Sequence, residues 1–543
     1  MRPAGDDKVY VSQAIEMAQH GQWFMQRLGN EPNYFKGPLH YILLRVGMKL
    51  FGDSMWATTY MNLFFLLLGA ISLGAIVHRN MREFEGWSFW VGVAFALNAG
   101  IFAHTFASQM EVEAAGLFAF GLYLLDRAGP GAADLRFWLV AGIVGWVKSP
   151  LHSALLGSTA LIFWAWNREL LPRLKSFSAW RAVLFGVIVC ILGYLPAILF
   201  DRENFINAYV FRENLWKPAN GTSWWYPVLP FFTYSLFPWM LPAFVAYFDG
   251  ITRFFRKQRM IRTTKGSRRV LLLGIALLIP TVIFFSAHPY RGQNYDLPAM
   301  GGLVLVICSI WATRAQSWTG FYALAMATTA LLMMAVPVLL SLAVKNFDPM
   351  PYWWPSWQLA AIWIGLFMAA RGFWREGVTL GQVRPGSMSR RVIYLFVAIS
   401  TLLTTIGERE MIDIRDRLYQ AQKNSELVHM SYYNLQKNIW CEWGYLNFMI
   451  PYPVRGLNTD SDLRDAVEHH ELILVPGDEW LADMDAKLHK LYPNFSYAEK
   501  TPWRRWKTKG KNAEGVPLWK AAWDKHDISL LEKNFYMVQV KPN

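Results

Sequence analysis

Four polar segments next to apolar runs carry the acidic and basic side chains that could do chemistry. In such segments a cation can hold a phosphate leaving group, and a carboxylate can take a proton from an attacking hydroxyl. This combination of groups suits the transfer of a group from a lipid phosphate. The candidate residues are, in chain order, Asp6 and Lys36, Glu111 and Glu113, Lys148, and Arg291.

Several of these candidates also have a plainer interpretation. Glu113 stands at the start of an apolar helix, where an acid is costly unless it is paired or functional, but a carboxylate there also stabilises the helix N-terminus. The two explanations weigh equally for Glu113, and Glu111, farther out in the loop, is the better functional candidate. Lys148 could extend toward the interface or meet an anionic ligand on a rigid turn. Arg291 suits phosphate through its two-pronged geometry, and an interfacial Arg–Tyr anchor is the competing interpretation.

The composition indicates a membrane protein. Of the 543 residues, 54% are hydrophobic and only 17% are charged, and the mean hydropathy is +0.18. The 27 Trp and 23 Tyr residues fit a protein whose aromatic side chains settle at the bilayer interfaces. Basic loops between apolar spans explain the net charge of +14 without nucleic acid as a partner. The 3 cysteines are isolated, which argues against a disulfide framework or a thiolate metal site.

Apolar runs predict an all-α polytopic membrane bundle of about twelve spans. Lys and Arg are concentrated in alternate loops, most strongly between Arg253 and Arg269, and this asymmetry marks those loops as cytoplasmic. The N-terminal segment and the C-terminal tail then both lie outside. Either the first helix at 56–78 carries the N-terminus across the membrane, or a further span lies upstream of Asp6. The runs lie near residues 56–78, 87–104, 112–125, 137–147, 151–166, 181–200, 226–248, 270–287, 298–313, 320–344, 355–371 and 392–406.

Three domains follow from this pattern. Residues 1–55 are predicted to form an extracytoplasmic catalytic loop with interfacial helices at Tyr10–Leu28 and Leu39–Phe51, residues 56–406 the transmembrane bundle, and residues 407–543 a soluble periplasmic domain. Within that last domain, a buried strand at 471–476, a helix at 477–491 and a strand at 536–540 predict a small α/β fold. The chain has neither a phosphate-binding loop of the Gly-Lys-Ser/Thr kind nor an HExxH motif, which weakens ATP-driven transport and metalloprotease chemistry.

The ordered motifs over roughly residues 5–300 resemble those of GT-C fold membrane glycosyltransferases, in the branch of bacterial lipid A aminoarabinose transferases and protein O-mannosyltransferase relatives. That family has a D-E-x-x-Y pattern, then G-x-W, then a stretch like E-P-Y-F-E-K-P-P-L-x-Y-W. Later it has T-K-G-P, F-R-E-H-L, P-W-W-Y-Y, L-P-W and K-x-x-x-Y-x-L-P. The corresponding stretches here begin at Asp6, Gly21, Glu31, Val147, Phe211, Trp224, Phe237 and Arg291.

The resemblance implies roles for individual residues. Asp6 would be the catalytic carboxylate, and Glu111 or Glu113 would contribute the second acid. Lys36, Arg291 and Lys148 would bind the donor phosphate. The remaining donor-cleft candidates are Tyr34, Tyr295 and, more weakly, Lys217.

Three departures from the family pattern qualify these roles. Phe35 stands where the family has an acid before its lysine, which puts a borrowed metal site in doubt. Asn214 replaces the histidine of R-E-H-L, and Gly37 replaces the first proline of K-P-P. No cofactor is certain, and a divalent metal stays an open alternative.

The resemblance therefore implies a glycosyltransferase of the bacterial inner membrane with its active site on the periplasmic face. Its donor would be a polyprenyl-phosphate-linked sugar and its acceptor a lipid A, glycan or protein group, with inversion expected at the anomeric carbon. The main alternative is a transporter or flippase of lipid-linked glycans, which would show charged spans, repeats or broken midplane helices. A non-catalytic subunit whose tail binds glycan through Trp503–Lys507 is a third hypothesis.

Overall fold

The chain is seen here as a computed structural model that describes most of the residues before position 346 and parts of the remainder. The described ranges are 7–28, 31–34, 36–52, 55–84, 86–106, 108–128, 132–216, 236–255, 264–287, 295, 297–313, 318–346, 364, 367–368, 370–371, 374–375, 430–433, 454–475, 477–506, 518–525 and 532–542.

The N-terminal segment forms a helix and a short hairpin instead of one long surface helix. Helix α1 covers Asp7–Gln19, and the antiparallel pair β1 (Arg27–Leu28) and β2 (Glu31–Pro32) follows it. The helix predicted over Tyr10–Leu28 was therefore wrong in its second half. Gly21, with φ of +67°, lies just beyond the end of the helix, where a glycine of this conformation commonly terminates one.

Helix α2, Pro38–Phe51, confirms that the stretch predicted at Leu39–Phe51 is helical. A proline at its first position fits because the first N–H groups of a helix have no partner inside it. The helix buries His40, Tyr41 and Leu44, so one of its faces is part of the core. This face ties the first loop to the bundle.

The bundle consists of helices joined by short connections. Nearly all of the predicted apolar runs before residue 346 are helical in their described parts. The helices are α3 (Met55–Asn80), α4 (Trp87–Ala96), α5 (Ala99–Thr105), α6 (Glu111–Arg127), α7 (Ala132–Val147), α8 (Pro150–Trp166), α9 (Leu170–Leu174), α10 (Phe177–Leu192), α11 (Leu195–Phe200), α12 (Arg202–Phe205), a π-helix (Ile206–Trp216), α13 (Met240–Phe255), α14 (Lys265–Ala287), a 3-10 turn (Leu297–Ala299), α15 (Met300–Ala312) and α16 (Thr319–Asn346).

Two of the described helices are long and apolar enough to cross a bilayer, namely α3 over Trp56–Asn80 and α14 over Lys265–Ser286. Helices α4 and α5 meet at an angle of 57° and make a third crossing if they count as one span. Their break falls at Asn98, whose side chain caps α5 by accepting a hydrogen bond from the Ile101 N–H at 2.9 Å. The number of twelve spans stays a prediction, and the runs at 226–248, 355–371 and 392–406 lie wholly or partly outside the described residues.

The interior of the bundle packs through small residues and indole rings. A Cβ on Gly116 of α6 would lie 2.2 Å from the carbonyl oxygen of Phe65 in α3, so only glycine allows this approach of the two helices. Trp90 stands edge-on to the rings of Trp239 and Trp311, at centroid distances of 5.3 and 5.4 Å. The Gly116–Phe65 contact packs the first half of α6 closely against α3, and the N-terminal end of α6 carries the candidate acids.

The described C-terminal part alternates strands and helices. Its elements are β3 (Met430–Tyr433), β4 (Val454–Leu457), α17 (Asp460–Glu468), β5 (Leu472–Val475), α18 (Asp478–Leu491), β6 (Ser496–Trp506), α19 (Leu518–Lys525) and β7 (Glu532–Lys541). The strands form a five-stranded mixed sheet in the order β4-β3-β5-β7-β6. Strand β3 runs parallel to β4 and β5, whereas β7 runs antiparallel to β5 and β6. The predicted α/β fold is confirmed, since β5, α18 and β7 match the two strands and the helix expected from the sequence.

Candidate active site

The turn before α2 docks directly onto the turn between α7 and α8. The Gly37 N–H donates a hydrogen bond to the Lys148 carbonyl oxygen at 3.3 Å. A Cβ at position 37 would lie 2.1 Å from the carbonyl oxygen of Trp146, so a side chain cannot be accommodated there without movement. Lack of space for a side chain thus explains the glycine at position 37. The Gly37–Lys148 hydrogen bond also brings the turn that carries Lys36 against Lys148.

Gln26 fixes the backbone of Lys36 from the other side. Its Nε2 donates to the Lys36 carbonyl oxygen at 2.7 Å, and its Oε1 accepts from the Lys36 N–H at 3.5 Å. Gln26 is almost fully buried, whereas Lys36 is half-buried. Gln26 therefore fixes the backbone from which the Lys36 side chain extends. No sequence motif indicated this positioning role of Gln26.

Lys148 and Glu111 form a buried ion pair at the N-terminal end of α6. Lys148 Nζ lies 3.0 Å from Glu111 Oε1, and the two side chains are only 6% and 8% exposed. The same Nζ lies 4.2 Å from the ring centroid of Tyr295, a cation–π contact. Glu111 Oε2 is buried and has no hydrogen-bond partner among the described residues. Three predicted site residues thus meet at one point, and one carboxylate oxygen there is left for a further group.

His152 belongs to the same cluster, although sequence reasoning missed it. Its Nδ1 lies 3.1 Å from Ser149 Oγ, and its buried Nε2 has no hydrogen-bond partner within the described ranges. Lys148 and Lys36 both lie within electrostatic range of this ring. The only signal in the sequence was a histidine inside an apolar run, four residues after Lys148. In the structure, the His152 imidazole therefore lies near both lysines, as a third nitrogen-bearing side chain of the cluster.

Glu113 lies elsewhere, although it is only two residues from Glu111. Its Oε1 is 2.6 Å from Nδ1 of His40 on α2, and both side chains are fully buried. This contact joins the first-loop helix to the first turn of α6. The structure therefore places Glu113 in a link between helices and not beside Lys148.

Tyr34 lies on the first loop and contacts a carboxylate that the sequence analysis did not single out. Its hydroxyl donates a hydrogen bond to Asp201 Oδ2 at 2.9 Å, and Asn204 Nδ2 donates to Oδ1 of the same carboxylate at 2.8 Å. Burial and the hydrogen bond to Asp201 raise the pKa of Tyr34, so the phenol stays a neutral donor. This pair connects the first loop to the segment between α11 and α12.

An apolar cavity of about 560 Å³ opens between α7, α8, α10 and the π-helix. Glycines on three of these helices leave the space, and Pro150, which follows the Lys148 turn, lies at its wall. Tyr209 also lines the cavity, and its hydroxyl donates to the Lys148 carbonyl oxygen at 3.4 Å. Tyr209 therefore connects the wall of the cavity to the turn that carries Lys148. Its glycines are Gly142, Gly157 and Gly186.

The remaining predicted site residues, Asp6, Arg291 and Lys217, lie outside the described residues. Within the described ranges there is no group of three or more His, Cys, Asp or Glu side chains that could hold a metal ion. The described part of the site thus consists of the Lys148–Glu111 pair, the Tyr295 ring over Lys148, and Lys36 and His152 nearby. Such a set can bind an anion such as a phosphate group and keep it in place.

Comparison with known proteins identifies the fold. No protein-family model and no curated protein matches the chain. Two crystal structures of ArnT from Cupriavidus metallidurans do match it in three dimensions. For the apo state the TM-score is 0.68 at 14% sequence identity, covering 99% of this chain and 94% of that chain. For the state bound to undecaprenyl phosphate it is 0.66 at 16% identity, covering 92% and 93%. The GT-C fold expected from the motifs is thereby confirmed.

Proposed function

We propose that the chain is a membrane glycosyltransferase that moves a sugar from a polyprenyl-phosphate-linked donor to an extracytoplasmic acceptor. The acceptor is a lipid A, glycan or protein group. The observation that carries the proposal is the buried Lys148–Glu111 ion pair, with the Lys36 turn docked against the Lys148 turn, His152 within electrostatic range of both lysines, and an apolar cavity alongside. A structure with the same fold is described as bound to undecaprenyl phosphate, which has the phosphate and the apolar chain that such a site would accommodate.

Lys36 and Lys148 are the proposed donor-phosphate ligands, with Arg291 as the third cation implied by the resemblance. Lys148 is held by Glu111 and by the ring of Tyr295, so its ammonium group is already in place before a donor arrives. Positioned cations lower the energy of the negative charge that builds up on a departing phosphate, without reorganising during the reaction. We therefore expect these lysines to contribute more to the rate of transfer than to the stability of the fold.

His152 is a proposed further donor to the phosphate. With Nδ1 at the Ser149 hydroxyl, the neutral ring can carry its proton on Nε2, the atom that lacks a partner. A neutral donor next to two lysines adds a hydrogen bond without adding a third charge. This role extends the set of site residues beyond those that the motifs suggested.

The proposed reaction is a direct displacement. The acceptor oxygen forms a bond to the anomeric carbon, while the bond from that carbon to the phosphate oxygen breaks and its electron pair leaves with the phosphate. The proton of the acceptor passes to Asp6, the carboxylate that the resemblance assigns to this step. Attack from the face opposite the phosphate inverts the anomeric carbon. We assign the second acid to Glu111 instead of Glu113, because only Glu111 contacts a phosphate-binding lysine.

The cavity beside Pro150 is the proposed site for the first isoprene units of the donor. Its wall is almost entirely apolar, and branched isoprene units would bury their surface there away from water. Two long apolar helices and the shared fold support a position in the inner membrane. The active site would face the periplasm, as the distribution of basic loops suggests.

The test of this function uses undecaprenyl phosphate and undecaprenol as a pair of probes. Lys36→Gln should weaken binding of undecaprenyl phosphate to the purified protein by about tenfold, since a charge-assisted contact is lost, and should leave binding of undecaprenol unchanged. Arg136→Gln, an exposed arginine at the start of α7, is the matched control. Equal affinities of the wild type and Lys36→Gln for the phosphate would overturn the assignment.

Transfer is then measured in membranes with a labelled polyprenyl-phosphate sugar. A glycosyltransferase forms a labelled acceptor and free polyprenyl phosphate, and Lys36→Gln should form much less of both. A flippase moves the intact donor across the membrane and leaves the sugar–phosphate bond unbroken. Movement without bond cleavage would therefore favour the transporter hypothesis.

A further inference from the structure

A second cationic site lies on α2, away from the Lys36–Lys148 cluster. Arg45 Cζ is 3.9 Å from the ring centroid of Trp23, and Lys49 Nζ is 4.8 Å from the same centroid. The two basic residues are one helical turn apart, so they share a face of α2. Two cations thus converge on a single indole at the surface end of the first loop.

Arg45 is the unusual member of this group because it is buried without an anion. It is 5% exposed, and its Nε and Nη1 are buried and lack a hydrogen-bond partner among the described residues. The ion pairs of the described residues include neither Arg45 nor Lys49. A guanidinium stays charged, and contact with an indole does not replace the hydrogen bonds that its N–H groups lose on leaving water. Burial also lowers the pKa of Arg45, as expected for a cation that lacks a counter-charge.

The surroundings of the two cations are apolar and exposed. Leu50, which follows Lys49, is 66% exposed, and Trp56 at the start of α3 is 60% exposed. Phe24, next to Trp23, and Phe51 are also exposed. Such residues are unfavourable in water but fit the boundary between lipid headgroups and acyl chains. The ligand of this site should therefore be both anionic and apolar.

We propose that Trp23, Arg45 and Lys49 bind the phosphate headgroup of an anionic lipid whose chains lie along Leu50, Phe51 and Trp56. Arg45 would supply the two N–H groups of Nη2, the prong of its fork that is not among the buried atoms, and Lys49 would add a point charge. The site is distinct from the donor site, since Arg45 lies about 10 Å along the helix from Pro38, at a rise of about 1.5 Å per residue. It does not depend on the proposed glycosyl transfer.

Native mass spectrometry of the purified full chain, titrated with phosphatidic acid or with phosphatidylcholine, tests this site. We expect Arg45→Gln to weaken phosphatidic acid binding by about tenfold and Lys49→Gln by about threefold, because the fork donates two hydrogen bonds and the ammonium one. The affinity for phosphatidylcholine, whose headgroup has no net charge, should stay the same in both variants. Arg45→Lys should recover only part of the loss, since it restores the charge without the fork, and Arg136→Gln is the matched control.

Three outcomes would overturn the proposal. One is unchanged phosphatidic acid binding in both Arg45→Gln and Lys49→Gln, which would leave Arg45 as a purely structural partner of Trp23. Another is an equal loss in Arg136→Gln, which would mean nonspecific charge attraction. The third is full competition by millimolar inorganic phosphate, which would make this a free-anion site. Since Lys49 is exposed, Lys49→Gln keeps the test decisive if Arg45→Gln does not fold.

Discussion

The two ends of helix α6 hold buried acids in opposite ways. At its C-terminal end, Asp126 Oδ1 accepts a hydrogen bond from Arg269 Nε at 2.6 Å, and Oδ2 accepts one from Asn80 Nδ2 at 3.0 Å. Arg269 Nη2 also donates to the Asp126 carbonyl oxygen at 2.8 Å, which ties α6 to α14. At its N-terminal end, Glu111 has only one carboxylate oxygen paired, with Lys148.

The difference separates structural charges from functional ones. A buried acid whose oxygens are all paired stabilises one arrangement of the helices and gains nothing from a ligand. A buried acid that keeps one oxygen unpaired beside a lysine is in an environment that a bound polar group would complete. Among the described residues Glu113 also keeps an unpaired oxygen, but its partner is His40 and not a lysine. The lysine partner therefore marks the Glu111–Lys148 pair, with His152 nearby, as the proposed ligand site, and the Asp126–Arg269 cluster is a structural link.

The largest effect on transfer is expected for Glu111→Gln. The amide keeps the size of the side chain but removes the charge that holds Lys148, so we expect a loss of at least about 100-fold in the rate of transfer. Glu113→Gln is the matched change two residues away. It should lower thermal stability through the His40 contact and change the rate per folded molecule by less than about threefold. Similar losses of rate in both variants would erase the distinction drawn here between the two acids.

A smaller loss of transfer is expected for Gly37→Ala. The new Cβ would meet the Trp146 carbonyl oxygen and push the Lys36 turn away from Lys148, and a displacement of about 1 Å can cost up to about 100-fold in rate. We expect a loss of about tenfold or more in labelled transfer assays. Gly320→Ala is the control, because nothing lies within 4 Å of a Cβ built there. An unaffected Gly37→Ala enzyme would mean that this docking contact does not position Lys36.

The smallest effect on transfer is expected for Asp126→Asn. Loss of the charged partner of Arg269 should destabilise the folded chain by about 2 kcal/mol, a typical value for hydrogen bonds to charged groups. The rate per folded molecule should stay within about twofold of wild type, since a distant site that carries no ligand is expected to act independently. Thermal unfolding in detergent and transfer by the folded fraction measure the two quantities. A large loss of rate at normal stability would contradict a structural role.

Much of the fold could be predicted because its signals are local. Apolar runs marked the helices of the bundle, and α2 was predicted over Leu39–Phe51. The break at Asn98 and the early end of α1 near Gly21 were missed, because each depends on one residue whose conformation or capping contact is not visible in a pattern of hydropathy. In the C-terminal part, the strand and helix order was predictable, whereas the pairing order of the sheet required the structure.

The candidate site was predictable where single residues carry the chemistry. The motifs selected Lys36, Lys148 and Glu111, and the structure brings the Lys36 turn against the other two. His152 and Asp201 were missed, because their importance arises from neighbours that are distant in sequence. The position in the loop favoured Glu111, whereas the resemblance left Glu111 and Glu113 open as the second acid. The partners of the two acids, Lys148 and His40, distinguish them.

The most direct measurement of the central claim compares the affinity of the purified protein for undecaprenyl phosphate in Lys148→Gln and Arg269→Gln. These variants neutralise a cation paired with an acid at opposite ends of the same helix. If the start of α6 is the ligand site, Lys148→Gln loses about tenfold or more in affinity, whereas Arg269→Gln binds like wild type and unfolds at a lower temperature. Equal affinities in the two variants, or a loss confined to Arg269→Gln, would contradict this account.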